Sequence, residues 1–188
     1  MFKELVQKNR SYRRFHGDKA IDREVLLELV DAARITPSTK NQQCMRYQVV
    51  NDKEENAKVY TTLAWAGLLT EWDGPEEEER PTAYIVSVRD KSICEPISFD
   101  DGIVAQTITL AAVEKGLGCC MIRSCNWKEL FAILGIDEEK YAFSCVIAIG
   151  YPLETVQLEE AKDGSVAYWR SEDQVHHVPK RSLEDVII

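Results

Sequence analysis

The chain has 188 residues, 45% of them hydrophobic and 29% charged, the balance of an ordinary folded protein with a sizeable core. That balance excludes an extended disordered chain, a collagen-like repeat and a small disulfide-stapled scaffold. Asp and Glu total 32 against 23 Lys and Arg, and the resulting charge of -9 argues against nucleic acid as a partner.

Phe2, Leu5 and Val6 share one helical face that stops near Asn9. Asp22 caps an expected second helix with Val25, Leu26, Leu29, Val30 and Ala33 as its apolar stripe, and Pro37 closes it. A polar loop over 36–43 leads to a strand at 45–51 and one or two helices between Glu54 and Leu69. Residues 71–81 carry five glutamates and read as a solvated surface excursion. A strand at 84–88 precedes a helix over 100–115 that is apolar nearly all round, as a core helix is. Gly116 and Gly118 end it. A short buried strand follows at 119–122, and Asn126 with Glu129 resembles a capping box for a helix over 127–134. Residues 143–149 form a further strand, and the tail from Ala161 has no period and is expected to wrap over the rest. Strands separated by helices predict an α+β chain, one domain over 1–188, with a sheet covered by helices on both faces.

Four clusters carry candidate chemistry. Arg10, Ser11, Arg13 and Arg14 make a positive island suited to a phosphate monoester, since guanidiniums give forked, charge-assisted hydrogen bonds. The loop from Pro37 through Ser38 and Asn41 to Gln43 is dense in amides and hydroxyls that can read the edge of a heterocycle. Met121, Ile122, Arg123 and Ser124 lie where a strand exits into a turn, so their backbone N–H groups are available to a ligand. Lys180 and Arg181 form a basic pair that can close on the same anion as the first cluster.

Together these clusters resemble the nitroreductase family of flavin oxidoreductases. The family's Arg-Ser-x-Arg-x-Phe pattern is matched by Arg10, Ser11, Arg13 and Phe15, and its Pro-Ser-x-x-Asn-x-Gln pattern by Pro37, Ser38, Asn41 and Gln43. The Gly-Leu-Gly turn is matched by Gly116–Gly118, and the terminal basic-basic-x-Leu-acid-acid signature by Lys180, Arg181, Leu183, Glu184 and Asp185. Asn9 stands where many relatives carry another Arg, and Cys44-Met45 replaces a usual Pro-Trp.

The resemblance implies a mixed, mainly antiparallel sheet and a bound FMN shared across a homodimer. Arg10 and Ser11 would hold its phosphate with Lys180 or Arg181, and Arg13 would sit by the N1/O2 edge of the ring. Pro37, Ser38 and Asn41 would reach the flavin of the opposite subunit. Backbone N–H groups of Ile122, Arg123 or Ser124 would approach N5, and Met121 would also contact the flavin. No side chain is required as an acid or base. NAD(P)H would be a visiting donor, and residues 65–72 would supply part of the substrate pocket. A reductive dehalogenase of the same fold and a non-catalytic flavin-binding or sensing dimer are the alternatives.

Adjacent Cys119 and Cys120 point to opposite faces of a strand and cannot clasp one ion, so no metal is expected. The six cysteines, without regular spacing or a signal-like N-terminus, read as reduced thiols in a cytoplasmic protein. His16, His176 and His177 read as surface or pocket-rim residues. The apolar run within 103–113 is too short and too polar to span a membrane.

Overall fold

The computed structural model describes residues 2–94 and 99–188. Its central sheet is antiparallel, in the order β1 (Met45–Val50), β2 (Ala83–Asp90), β4 (Tyr141–Gly150), β3 (Gly118–Ile122). Alternate residues of a strand face opposite sides, so Ile85, Ile147 and Cys119 enter one core while Tyr84, Val146 and Cys120 enter the other. Helices α2 (Arg23–Arg34) and α4 (Asp100–Glu114) cover the first face, and α3 (Lys53–Tyr60) and α5 (Trp127–Leu134) the second. Both faces are therefore dry, so β2 is buried at nearly every position and β4 over its last seven. The expected α+β architecture is what the chain adopts, and its parallel pairings are the Ser11–Cys119 bridge and an outlying sheet.

Helix α4 buries Val104, Ala105, Ile108, Thr109 and Ala112. It ends as its glycines require. Gly116 takes φ +76°, and the Gly116 and Leu117 N–H groups reach back to the Val113 and Ala112 carbonyls at 3.0 and 2.9 Å. The helix leaves Ile103 and Gln106 exposed, so its all-round apolarity is only partly used within one chain.

Several expectations are corrected. Of the one or two helices expected between Glu54 and Leu69, one forms, α3, and residues 61–72 continue without a second. The Asn126 side chain donates to Glu129 Oε2 at 2.8 Å and caps no backbone N–H, so the two residues satisfy each other rather than the helix. Asp22 precedes α2 but accepts helix N–H groups through its carbonyl, with no side-chain cap bond. The tail does build a unit, a small sheet of β5 (Val156–Glu160), β7 (His176–Lys180) and β6 (Trp169–Arg170). Glu79, in the acidic segment, is not simply solvated: it ion-pairs with Arg14.

Cys44 and Cys94 are joined as a disulfide, against the expectation of reduced thiols throughout. Antiparallel pairing of β1 with β2 sets Met45 opposite Arg89 and brings Asp90 N–H onto the Cys44 carbonyl at 2.9 Å, which carries the following turn to Cys44. No helix among the described residues is long and apolar enough to cross a membrane.

The arginine-bearing segment 10–16 is threaded along the sheet edge. Tyr12 N–H donates to the Cys119 carbonyl, Phe15 N–H to that of Glu79 and His16 N–H to that of Tyr151, each at 2.9 Å. Fully buried Phe15 lies so close to Gly150 that a Cβ there would meet its ring at 2.7 Å. Gly150→Ala is expected to cost about 1–3 kcal/mol by overpacking and to lower Tm by about 2–4 °C per kcal/mol lost, as read by thermal unfolding.

Candidate functional site

One buried carboxylate fixes the first cluster. Glu154 Oε1 accepts the backbone N–H groups of Arg13 and Arg14, the latter at 3.3 Å, and its Oε2 takes Arg170 Nη2 at 2.9 Å. The Glu154 side chain has no exposed surface. Clamping the backbone at 13–14 sends the three guanidiniums to different places. Arg14 turns to Glu79, whose carboxylate is held below its ordinary range by that bond while the Arg14 pKa rises. Arg10 donates to the Val6 carbonyl at 2.7 Å, and burial lowers its pKa. Arg13 bonds the Ser11 carbonyl at 3.2 Å and places Nη1 3.0 Å from His176 Nε2.

Arg10, Ser11, Arg13 and Lys180 line one cleft of about 330 Å³, floored by Cys119 and Met121 of β3 and walled by Gln106, Tyr168 and His176. A second hollow of about 160 Å³ shares Arg13, Met121 and Tyr168 with it and is lined by Trp65, Cys120, Ile122, Arg123 and Ser124. The two meet at Arg13. The β3–β4 ladder ends at Ile122 opposite Val146, and Arg123 and Ser124 continue as an exposed turn. Arg10 Nε and His176 Nδ1 are buried and have no hydrogen-bond partner. Such atoms are costly unless a ligand or water meets them.

Pro37, Ser38 and Asn41 lie elsewhere in the chain. Ser38 and Pro37 line a hollow with Asp100 and Tyr47, and Ser38 donates to Asp100 Oδ2 at 2.9 Å. Asn41 is exposed, with φ +54°. Arg181 is exposed and lines no part of the cleft, whereas Lys180 does. The 65–72 stretch contributes Trp65, Ala66 and Gly67 to the second hollow.

Glu154, Tyr168, His176 and Arg170 were not singled out from the sequence as site residues. Reading His176 as a surface or rim residue is corrected: it lines the cleft but is only 1% exposed. Tyr168 stands 4.9 Å from the Arg13 guanidinium and accepts the Leu68 N–H at 3.3 Å, which ties the tail to the loop after α3. Their only signal was a tail richer in Tyr, Trp, Arg and His than a solvated end requires.

Cys120 lines the second hollow, but burial pushes its thiol up to about 11, so it is a packing residue and no thiolate nucleophile. Cys119 and Cys120 enter opposite cores as expected. No group of three or more metal-ligating side chains occurs among the described residues.

The family model described as "Nitroreductase family" matches residues 6–91 and 97–151. A relative from Archaeoglobus fulgidus, provisionally named NADH dehydrogenase/NAD(P)H nitroreductase, is 28% identical over 167 residues, covering 85% of this chain and 90% of its own. An FMN-dependent nitroreductase from Clostridium difficile R20291 is 28% identical with a TM-score of 0.64, covering 84% of this chain and 88% of its own. A provisionally named nitroreductase from Desulfovibrio desulfuricans, solved in complex with FMN, superposes with a TM-score of 0.72 at 20% identity, over 99% of this chain and 94% of its own.

Removing the clamp tests the site's architecture. Glu154→Ala leaves Arg170 without its buried carboxylate partner and is expected to cost about 3–5 kcal/mol in urea unfolding, against about 0–1 kcal/mol for an exposed pair such as Arg34–Asp31.

Proposed function

The chain belongs to the nitroreductase family, and we propose that it is an FMN-dependent NAD(P)H oxidoreductase passing hydride to an electron-poor acceptor such as a nitroaromatic or quinone. One observation carries this reading. Cations from opposite ends of the chain, Arg10, Arg13 and Lys180, line a single cleft that runs into the turn after β3.

The residues present fit the cofactor. The cleft is cationic where a phosphate is expected, it contains the unpartnered Arg10 Nε, and it adjoins a hollow walled by Trp65 and Tyr168. When bound, FMN would supply the two-electron redox chemistry, with donor and acceptor using the same cleft in turn. Arg10, Ser11 and Lys180 hold the phosphate. The Arg10 guanidinium remains cationic although burial lowers its pKa. Arg13 offsets the negative charge that reduction places on the N1/O2 edge. Ile122, Arg123 and Ser124 present the strand exit to N5, and Met121 forms the floor. The reading requires no side chain as an acid or base; burial pushes the Cys120 thiol up to about 11 and the His176 imidazole down to about 4.

We read the functional unit as a homodimer of one-domain subunits. Phe2, Phe99 and Leu183 are each more than two-thirds exposed in the single chain. Pro37, Ser38 and Asn41, remote from the chain's own cleft, are then free to complete that of a second copy. Light scattering on the purified protein is expected to give twice the chain mass; a monomer that retains flavin counts against a shared site.

A visible spectrum read before and after anaerobic addition of NADH or NADPH tests the function. A flavin spectrum that bleaches supports the oxidoreductase. A flavin that stays oxidised supports the binding-only alternative, and a colourless protein that takes up no FMN overturns the reading. Arg10→Ala removes a charge-assisted hydrogen bond and is expected to weaken FMN binding by roughly tenfold or more, measured by quenching of flavin fluorescence.

A further inference from the structure

We propose that His176 is a positioning residue of the cleft: its Nε2 accepts a hydrogen bond from Arg13, and its Nδ1–H is a donor held ready for an acceptor atom of the bound molecule. The inference rests on the flavin reading above and adds a residue that the family motifs do not contain.

The Arg13 guanidinium has only donors. Its approach to 3.0 Å from His176 Nε2 is a hydrogen bond only if that nitrogen carries no proton. A neutral imidazole then bears its proton on Nδ1. The Nδ1 atom is buried and unpartnered, on a side chain that is 1% exposed and lines the same cleft as Arg10, Ser11 and Lys180. A buried N–H with no acceptor costs about 1–3 kcal/mol, and a ligand oxygen in the cleft removes that cost. Both the ribityl hydroxyls and the pyrimidine carbonyls of a flavin offer such oxygens.

The ring is held in place. His176 N–H donates to the Thr155 carbonyl at 2.9 Å, the residue pairs with Val156 of β5 and Arg170 of β6, and the Tyr168 ring lies 5.2 Å away. The charges around it favour the neutral form. Arg13 faces it from the N-terminal segment, Arg170 from β6 and His177 from its own strand, while Lys180 shares the cleft. The nearby acid, Glu154, is engaged by Arg170 and by the Arg13 and Arg14 N–H groups. Burial first, and then Arg13, Arg170 and His177, bring the His176 pKa down to about 4.

Nitrogen-15 NMR of the flavin-free protein tests the tautomer directly. The expected result is a neutral ring protonated at Nδ1 near neutral pH, becoming cationic only toward about pH 4. An Nε2-protonated ring, or titration at the ordinary 6.5, overturns the proposal. FMN titration of apoprotein tests the role. His176→Gln can turn its amide oxygen to Arg13 but carries no donor at the Nδ1 position, and His176→Phe keeps a ring with neither acceptor nor donor. Affinity is expected to fall from wild type to Gln to Phe, the last by roughly tenfold. The Phe effect is expected to shrink in an Arg13→Ala background, and the flavin midpoint potential to drop as Arg13 loses its place, with melting curves confirming that each variant is folded. Equal FMN affinity and potential in wild type and His176→Phe overturn this inference alone. A wild type that takes up no FMN overturns the functional reading and this inference with it.

Discussion

The site depends on a carboxylate taken out of water. Glu154 follows the buried strand β4 by four residues and has no exposed side-chain surface, so it must be paired. It finds partners on two stretches of chain, the backbone N–H groups of residues 13 and 14 and the guanidinium of Arg170. That arrangement fixes the direction of a segment rich in like charges. With the backbone clamped, Arg13 and Arg14 project differently: one into the cleft, the other to Glu79. Three arginines within five residues repel one another in free solution. Here each has an acceptor of its own, the Val6 carbonyl for Arg10, the Ser11 carbonyl and His176 Nε2 for Arg13, and a carboxylate for Arg14.

Close packing carries the same constraint outward. The segment can lie along β3 and β4 because Gly118 and Gly150 have no side chains. A Cβ at Gly118 would meet the Tyr12 ring and Pro152 at 2.7 Å, and one at Gly150 would meet Phe15. Gly116 thus ends α4, and Gly118, two residues on, admits the arginine segment. Cofactor-site geometry and sheet geometry are one problem in this chain, which is why the matched motifs span it from residue 10 to the tail.

What the sequence made legible follows from which forces are local. The β-rich runs of β2 and β4, the glycine stop of α4 and the opposed faces of Cys119 and Cys120 depend on neighbours a few residues away, and the structure has each of them. The arginine pattern is likewise local, and the structure brings Arg10 and Arg13 of it to one cleft while turning Arg14 to Glu79. The Cys44–Cys94 bond was not legible, since two cysteines 50 positions apart are brought together only by the β1–β2 register. The tail sheet was equally hidden: β6 has two residues, and β5 pairs in parallel with β7 across a loop. Neither offers a period to detect. Asn126 and Glu129 show the opposite failure, in which a local pattern is present but the two side chains bond each other.

His176 shows how a neutral group can serve a cationic cleft. A carboxylate beside Arg13 would hold the guanidinium firmly but cancel the charge that a phosphate or a reduced ring requires. A neutral imidazole accepts from the same guanidinium and leaves its charge uncompensated. The arrangement works only where the imidazole is hard to protonate, and burial among Arg13, Arg170 and His177 provides that condition. It carries a consequence for stability. The unfolded chain takes up a proton at His176 at a higher pH than the folded chain does, so this residue lowers stability as pH falls from about 6.5 to about 4 and contributes no slope above that window. The positive cleft of a chain with net charge -9 is thus kept by excluding acids from Arg13's side chain and confining the buried one to its backbone.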